Sequence, residues 1–554
     1  MKYTFSAKNP ANHFLSLQVE CDVTNQNSIT IQLPAWRPGR YELGNFAKNI
    51  KDFFVYDENE NPLSTSKISK DTWEVGCETA SSVKIEYNYY AAELNAGATW
   101  LDENQLYVNP VNCCVYVLGK ENETCEIQLE VPKDYKVASS MEAKGNNLFS
   151  VANFQELADT PFIASNTLKH KSYVSNDITF HIWFQGECKP NWNKVISDFQ
   201  KFTDYQIEKF DGFPVNEYHF FNQITTYPSY HGVEHQKSTV IQLGPSYKVF
   251  EKSYVDFLGV SSHELYHTWN VKAIRPQEMF PYDFTKENYS RLGYIAEGVT
   301  TYMGDRALYE CGVFDEKQYF KEFETYLTRH FHNDGRKHLS VANSSWDTWL
   351  DGYVQGIPGR KTSIYTEGAL IAYICDMRIR KATNSEASLH DVMRELYLLT
   401  DLKKGYTEKD YRSLLEKFSG ESFEDIFKNL LHGTQDFTPY IIEALAFENW
   451  QFEAKPSTKE HENFGLKGIW KNGGFEITNV LEGSTAEKSG LTPSDIIHSI
   501  NGIRLNNDLP EWLIYFQEDS ISLSIERDKI LKKIDLQSNN GKGYSIFKLS
   551  NKNN

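Results

Sequence analysis

No run of 18 apolar residues occurs in this 554-residue chain, which excludes a transmembrane helix. The first residues, MKYTFSAKNPANHFLSL, lack the apolar h-region of a signal peptide and read as strand. Cysteine is sparse: eight residues, at positions 21, 77, 113, 114, 125, 188, 311 and 375, without CxxC spacing. That usage argues against a disulfide framework or a cysteine-built zinc site, so reduced thiols and a cytoplasmic location are the expectation. Basic residues are also short, 57 Lys and Arg against 75 Asp and Glu, for a net charge of −18. Such a surface disfavours nucleic acid and anionic membranes as partners. Hydrophobic residues at 40% suit a soluble globular protein, and aromatics at 14% are plentiful. At roughly 150 residues per domain, the length suggests about three or four domains.

The chemistry gathers at Ser261 to Pro276, SSHELYHTWNVKAIRP. On a helix, His263 and His267 lie one turn apart on one face, so two neutral imidazoles can meet on one Zn²⁺. Glu264 sits at the edge of that face. There it can take a proton from a water activated by the metal without itself becoming a ligand. Apolar Tyr254, Val255, Leu258, Leu265 and Trp269 supply the helix with a buried surface, Gly and Pro are absent from Val260 to Ala273, and Pro276 closes the segment.

A catalytic zinc needs a third protein ligand and an open position for water. The stretch Tyr289 to Leu308, YSRLGYIAEGVTTYMGDRAL, reads as a second helix, and its Glu297 lies beside Ile295, Ala296 and Val299. A loop rich in Pro276, Pro281 and Asp283 can bring that helix back antiparallel, which makes Glu297 the third candidate ligand. Asp305, about two turns further on the same face, is a candidate to orient a ligand imidazole.

HELYHTWNVKAIRP followed by AEGVTTYMGD resembles the glycyl aminopeptidase family of gluzincin metallopeptidases, relatives of aminopeptidase N and thermolysin. The resemblance implies a multidomain fold: an N-terminal all-β domain, an α+β to mostly α thermolysin-like catalytic domain, and a C-terminal PDZ domain. It also implies an N-terminal substrate anchor at Gly232-Val233-Glu234-His235, similar to the Gly-x-x-Glu strand edge of related aminopeptidases. There the Glu234 carboxylate would pair with the free α-ammonium and position the first peptide bond at the metal. His235 would contact the substrate or pack beside it. Tyr365-Thr366-Glu367-Gly368 resembles the Tyr-Glu-Lys-Gly pattern in part, with Thr-Glu in place of Glu-Lys. It implies Tyr365 as a hydroxyl donor to the oxyanion. Leu33 to Ile50, LPAWRPGRYELGNFAKNI, is similar to a segment of the family's N-terminal domain, with Trp36, Arg37 and Arg40 either reaching toward the active site or packing the loop.

The pattern along the chain supplies domain limits. Up to residue 171, short alternating runs such as Phe14 to Val19, Ile29 to Leu33, Val83 to Tyr90 and Cys125 to Val131 give the cadence of a β-sandwich. From 172 to 445, strands at Ile178 to Phe184 and Glu217 to Ile224 flank a helix at Trp192 to Phe210, and helices follow at Lys317 to His332, Ser388 to Leu402 and Glu408 to Phe418. From 446 to 554, GGFEITNVLEGSTAEKSGLTPSDIIHSINGIRL looks like a PDZ domain, with Phe464-Gly465-Leu466 as its carboxylate cradle and peptide C-termini as its implied partners. The expected function is a zinc aminopeptidase with one Zn²⁺ per chain, acting on peptides with a free N-terminus and a small first residue, Gly or Ala by the resemblance. Two alternatives stay open: a zinc endopeptidase of thermolysin type, and a peptide-binding PDZ protein whose peptidase domain is vestigial.

Overall fold

Alternation along the first strands builds the N-terminal layer. In Phe14–Asp22, Leu15, Leu17, Val19 and Cys21 are buried, and in Ser82–Tyr90 so are Val83, Ile85, Tyr87 and Tyr89, because successive side chains of a strand point to opposite faces. Each such side chain contributes roughly 1.5–3 kcal/mol relative to exposure. These two strands pair within a seven-stranded sheet, and Ser28–Gln32 and Thr72–Gly76 lie in a four-stranded sheet whose inward residues share its core. The computed structural model describes residues 1–354, 356–399, 404–471, 473–517, 519–537 and 541–552. The predicted strands are present to within a few residues, as is the multidomain layout of β, helical and PDZ-type parts.

The loop leaving Ser28–Gln32 does not stay within this layer. Trp36 is fully buried, its Nε1 donates to Asp283 O at 2.7 Å, and its ring meets Trp349 edge-on with centroids 5.0 Å apart. This loop therefore docks the β layer onto the helical layer.

A five-stranded sheet follows: β1 (Lys169–Ser175), β2 (Ile178–Gln185), β3 (Glu217–Ile224), β4 (Ser229–Glu234) and β5 (Ser238–Gly244), in the order β1-β2-β3-β5-β4. β2, β3 and β5 run parallel, and β4 pairs antiparallel with β5, so one side of β4 is the open edge. Helix α1 (Trp192–Phe210) connects β2 to β3, its N-terminus capped by Asn191, whose side chain accepts from Lys194 N–H. Helices α2 (Tyr254–Tyr266), α3 (Thr300–Glu310) and α4 (Ile364–Ala382) complete the layer that carries the site.

Two helices differ from expectation. α2 ends at Tyr266 rather than continuing to Ala273, yet His267 keeps helical geometry and its N–H donates to His263 O at 3.2 Å, so the two histidines remain one turn apart. The second helix begins after Leu292, with a π-helical turn at Tyr294–Val299 leading into α3. A wide turn relieves a close crossing: a Cβ at Gly368 of α4 would lie only 2.7 Å from Gly298 Cα. Further on, helices occupy Glu316–His332, Leu389–Leu399 and Glu408–Ser419; the expected end of the middle one, Leu402, lies outside the described residues.

The chain divides into two compact units, the first made of Met1–Tyr319, Val341–Gln355 and Ser363–Gly433, the second of Phe320–Ser340, Gly356–Thr362 and Thr434–Asn554. The second unit holds a sheet of Leu466–Lys471, Gly474–Val480, Ile496–Ile500, Ile521–Arg527 and Ile530–Leu536 over a core that includes Phe464, Leu466, Ile477, Ile497 and Leu513. Leu466–Lys471 is one of its two edge strands, Ile530–Leu536 the other. In the Phe464-Gly465-Leu466 turn, Gly465 N–H already donates to Glu462 O at 3.0 Å. Among the described residues no helix is long and apolar enough to cross a membrane.

Candidate active site

Small residues let three helices meet at backbone distance around His263. Ser262 Oγ donates to Gly304 O at 2.7 Å and accepts from Gln206 Nε2 at 2.8 Å, tying α1, α2 and α3 together. A Cβ at Gly304 would stand 2.9 Å from His263 Cα. This packing fixes the histidine's backbone.

The three candidate ligands converge. His263 Nε2 and His267 Nε2 are 3.0 Å apart, and Glu297 Oε2 lies 3.4 Å from His267 Nε2 and 4.0 Å from His263 Nε2. Two ligands of a tetrahedral zinc bound at 2.0–2.1 Å stand about 3.3 Å apart, so the donor set fits that ion in both type and spacing. The outer contacts agree. His267 Nδ1 lies 2.7 Å from Asn270 O, a carbonyl that only accepts, which places the Nδ1 proton there and the lone pair on Nε2. Asn270 Nδ2 in turn donates to Ile295 O at 2.8 Å and Thr300 Oγ1 at 3.0 Å, fastening the segment after α2 to the turn that carries Glu297. Glu297 Oε1 accepts from Tyr41 O–H at 2.8 Å, leaving Oε2 toward the imidazoles. Burial, then His267, pushes His263 well below the ordinary histidine range. Against burial, Glu297 holds His267 up to about 9.

Glu264 is buried, and its Oε2 has no hydrogen-bond partner. Burial raises its carboxyl well above the ordinary range, and the neighbouring charges of Glu234 and Glu297 add to this, while His267 and Arg37 oppose it. A carboxyl so raised holds a proton more readily than an exposed one, which suits it to accept one during a reaction. A Cβ at Gly232, on the open-edge strand β4, would collide with Glu264 Oε1, so only glycine lets that edge pass the carboxylate.

Glu234 ends β4. Oxygens of Glu234 and Glu264 and a nitrogen of His267 all lie within 4.8 Å of one another. The residue is 5% exposed, and no hydrogen bond or ion pair joins its carboxylate to another described residue. Gly39, at φ +80°, lies directly over it: a Cβ there would stand 2.5 Å from Glu234 Oε2. His235 is turned to Asp159, Nδ1 to Oδ1 3.1 Å, and Asp159 also accepts from buried Lys272 Nζ at 2.6 Å. Tyr365, the second residue of α4, has its hydroxyl bonded to that of Tyr353, and burial followed by the Glu297 charge raises its pKa well above the ordinary tyrosine value. Asp305 lies against Gly259, one turn before His263 on α2, with Oδ1 3.7 Å from where a Cβ would be.

Sequence reasoning missed Tyr41, Tyr353 and Asn270. Tyr41 touches Glu297 across 256 positions, and no local pattern marks such a contact. Arg40, left open between two roles, pairs with Glu42 and stacks over the Tyr353 ring at 4.7 Å. A second His-Glu group, His181, Glu217 and His219, also converges. There Trp183 Nε1–H donates to His219 Nδ1 at 3.1 Å, which puts the histidine's proton on Nε2, toward Glu217 at 3.0 Å. That group is a hydrogen-bonded ladder rather than a ligand set.

The chain matches the peptidase M61 N-terminal domain over residues 2–166, the M61 glycyl aminopeptidase domain over 256–371 and a PDZ domain over 451–509. No curated protein sequence matches it. Among solved structures, an aminopeptidase N family protein from Idiomarina loihiensis superposes with TM-score 0.92 at 24% identity, covering 100% of this chain and 98% of that one. A mutant M1 zinc metallopeptidase from Deinococcus radiodurans, bound to a Tyr-Ser-Ala substrate, superposes with TM-score 0.50 at 12% identity over 78% of this chain and 94% of that one. At these identities the superpositions speak for the fold. The two M61 domains together span about half of the sequence, and with them the chain belongs to the M61 glycyl aminopeptidase family, a metallopeptidase of aminopeptidase type with a PDZ domain.

Proposed function

We propose that this protein is a zinc aminopeptidase that removes a small residue, glycine or alanine, from peptides with a free N-terminus. The observation that carries the reading is Glu234: a buried carboxylate without a partner, beside Glu264 and His267, is a site for a cation that is not part of the chain. Burying an anion alone is costly, and a substrate α-ammonium offsets that cost.

In this reading His263, His267 and Glu297 hold one Zn²⁺. When bound, the ion would supply Lewis acidity toward the scissile carbonyl and the attacking water. Glu264 takes the proton of the attacking water and later gives it to the leaving amine; its raised pKa supports both transfers. Tyr365 donates its O–H to the developing oxyanion. Gly232 leaves the β4 edge open for the substrate backbone, His235 anchors the end of that strand through Asp159, and Asp305, beside Gly259 of α2, is the group proposed to orient a ligand imidazole. Tyr41, Tyr353 and Tyr365 gather on the Glu297 side of the site, which favours a small first side chain. Peptide C-termini remain the proposed ligands of the PDZ domain, along its Leu466–Lys471 edge.

The test is hydrolysis of matched aminoacyl amides, free and N-acetylated, with and without a chelator. Chelator-sensitive cleavage confined to free Gly and Ala amides is expected, with Glu264→Gln reducing kcat by about 10²–10⁴. Cleavage of acetylated substrates would make the enzyme an endopeptidase. A zinc-loaded protein that cleaves nothing would leave the PDZ domain as its working part.

A further inference from the structure

Arg37 is a buried cation without an anion. Its side chain comes from the N-terminal β layer, is 5% exposed, and makes one long hydrogen bond, Nη1 to Pro38 O at 3.4 Å. No carboxylate oxygen among the described residues lies within 4.0 Å of it. A guanidinium carries five N–H donors in a planar fork, and leaving such a group buried and unpaired is unfavourable. Its position is nevertheless built. A Cβ at Gly97 would collide with the guanidinium, and Asn112 Nδ2 holds the carbonyl of that glycine at 2.8 Å. Neighbouring Arg40 has spent its charge on Glu42 and the Tyr353 ring, so Arg37 is the free one of the pair. Burial and the Arg40 charge together hold Arg37 below the ordinary guanidinium pKa, a state an anion would relieve.

The location follows from the chain itself: Gly39, two residues after Arg37, lies over the Glu234 carboxylate, with a Cβ there 2.5 Å from Oε2. After burial, Arg37 is the strongest influence lowering His231, to about 3, and its charge also reaches Glu264 and Glu234. These residues lie along β4 and the helix facing it. With the substrate's ammonium at Glu234 and its first peptide bond near Glu264 and Gly232, the peptide runs antiparallel to β4, toward His231. An extended chain advances about 3.3 Å per residue, so the reach from Glu234 past His231 is about 10 Å, the span of two or three residues.

We infer that Arg37 is the subsite for the free C-terminal carboxylate of very short peptides, so that the enzyme prefers di- and tripeptides to longer chains. The inference rests on the aminopeptidase reading above. One buried anion and one buried cation, each lacking a partner, would clamp the two ends of a zwitterionic dipeptide, the cation through a bidentate pair.

The experiment compares Ala-Ala and Ala-Ala-Ala with their C-terminal amides on the zinc-loaded full chain, in wild type, Arg37→Gln and Arg37→Lys. Wild type is expected to favour the free acids by roughly 10–100-fold in kcat/KM, mostly through KM, for one well-placed charge-assisted pair. Arg37→Gln should bring the acid-to-amide ratio to near one. Arg37→Lys, which keeps the charge and loses the fork, should give an intermediate ratio and serves if the glutamine variant does not fold. Equal cleavage of acid and amide by wild type would overturn the subsite and leave the aminopeptidase standing. A ratio unchanged in both variants would also overturn it. Cleavage of neither form would sink the aminopeptidase reading and the subsite together.

Discussion

Tyr41 shows how much a single outer contact can matter. It gives one hydrogen bond, 2.8 Å to Glu297 Oε1, and that bond decides which carboxylate oxygen faces the histidines. Groups that orient a ligand in this way commonly contribute 10–100-fold to metal affinity. Tyr41→Phe is therefore expected to weaken zinc binding by about that factor in chelator competition, with the unfolding temperature little changed because the ring is kept. A variant that holds zinc as tightly as wild type would show that Glu297 is oriented by its own turn alone. Gly232 and Gly39 act by subtraction: each leaves space that a Cβ would fill, one beside Glu264 and the other over Glu234.

Among the elements, β4 and the turn after it are held by charge. Asp159 receives Lys272 Nζ at 2.6 Å and Gln236 N–H at 2.9 Å and faces His235, and it thereby secures the chain just past Glu234. Against burial, Lys272 and His235 hold its carboxyl below the ordinary range. A carboxyl depressed in the folded state contributes stability above its unfolded pKa of about 3.9, and that stability is lost as pH falls through the lower folded value. Unfolding temperature should therefore fall steeply below about pH 4 in wild type, and Asp159→Asn should flatten that part of the profile. At neutral pH the variant leaves Lys272 buried alone, a cost of about 3–5 kcal/mol. Thermal unfolding followed from pH 3 to 7 in both proteins checks the sign; parallel profiles would count against the assignment. The π turn at Tyr294–Val299 is set by a different force, the glycine-to-glycine approach of Gly298 and Gly368.

At the scale of the molecule, the β layer and the helical layer share one unit, and the β layer supplies Arg37, Gly39 and Tyr41 to the site. Trp36 anchors that contribution. Trp36→Ala should cost about 3–5 kcal/mol for a fully buried aromatic, and kcat/KM should fall with it, because the loop that positions Arg37 and Tyr41 loses its fastening. Denaturant unfolding alongside kinetics on a free Ala amide is the check. A destabilised variant with full activity would mean that the loop is held elsewhere.

By itself the sequence determined the elements and the local chemistry. Alternation gave strands such as Ser82–Tyr90, and the 3.6-residue period gave α1 from Trp192 to Phe210, because these are properties of neighbours along the chain. The H-E-x-x-H spacing put two imidazoles one turn apart in any helical backbone. Local pattern also marked Glu297, but whether its carboxylate meets those imidazoles depends on a long loop and a glycine crossing that no window of sequence contains. Only the tertiary structure decided that Tyr41 reaches Glu297, that Asn270 fixes the His267 tautomer, and that Arg37 and Glu234 are buried without partners. The Tyr41–Glu297 contact joins segments far apart in the chain, and the Asn270–His267 contact, though it spans only three residues, is held in place by Asn270 bonding to Ile295 and Thr300. The energy of each comes from burial, and burial is a property of the assembled fold.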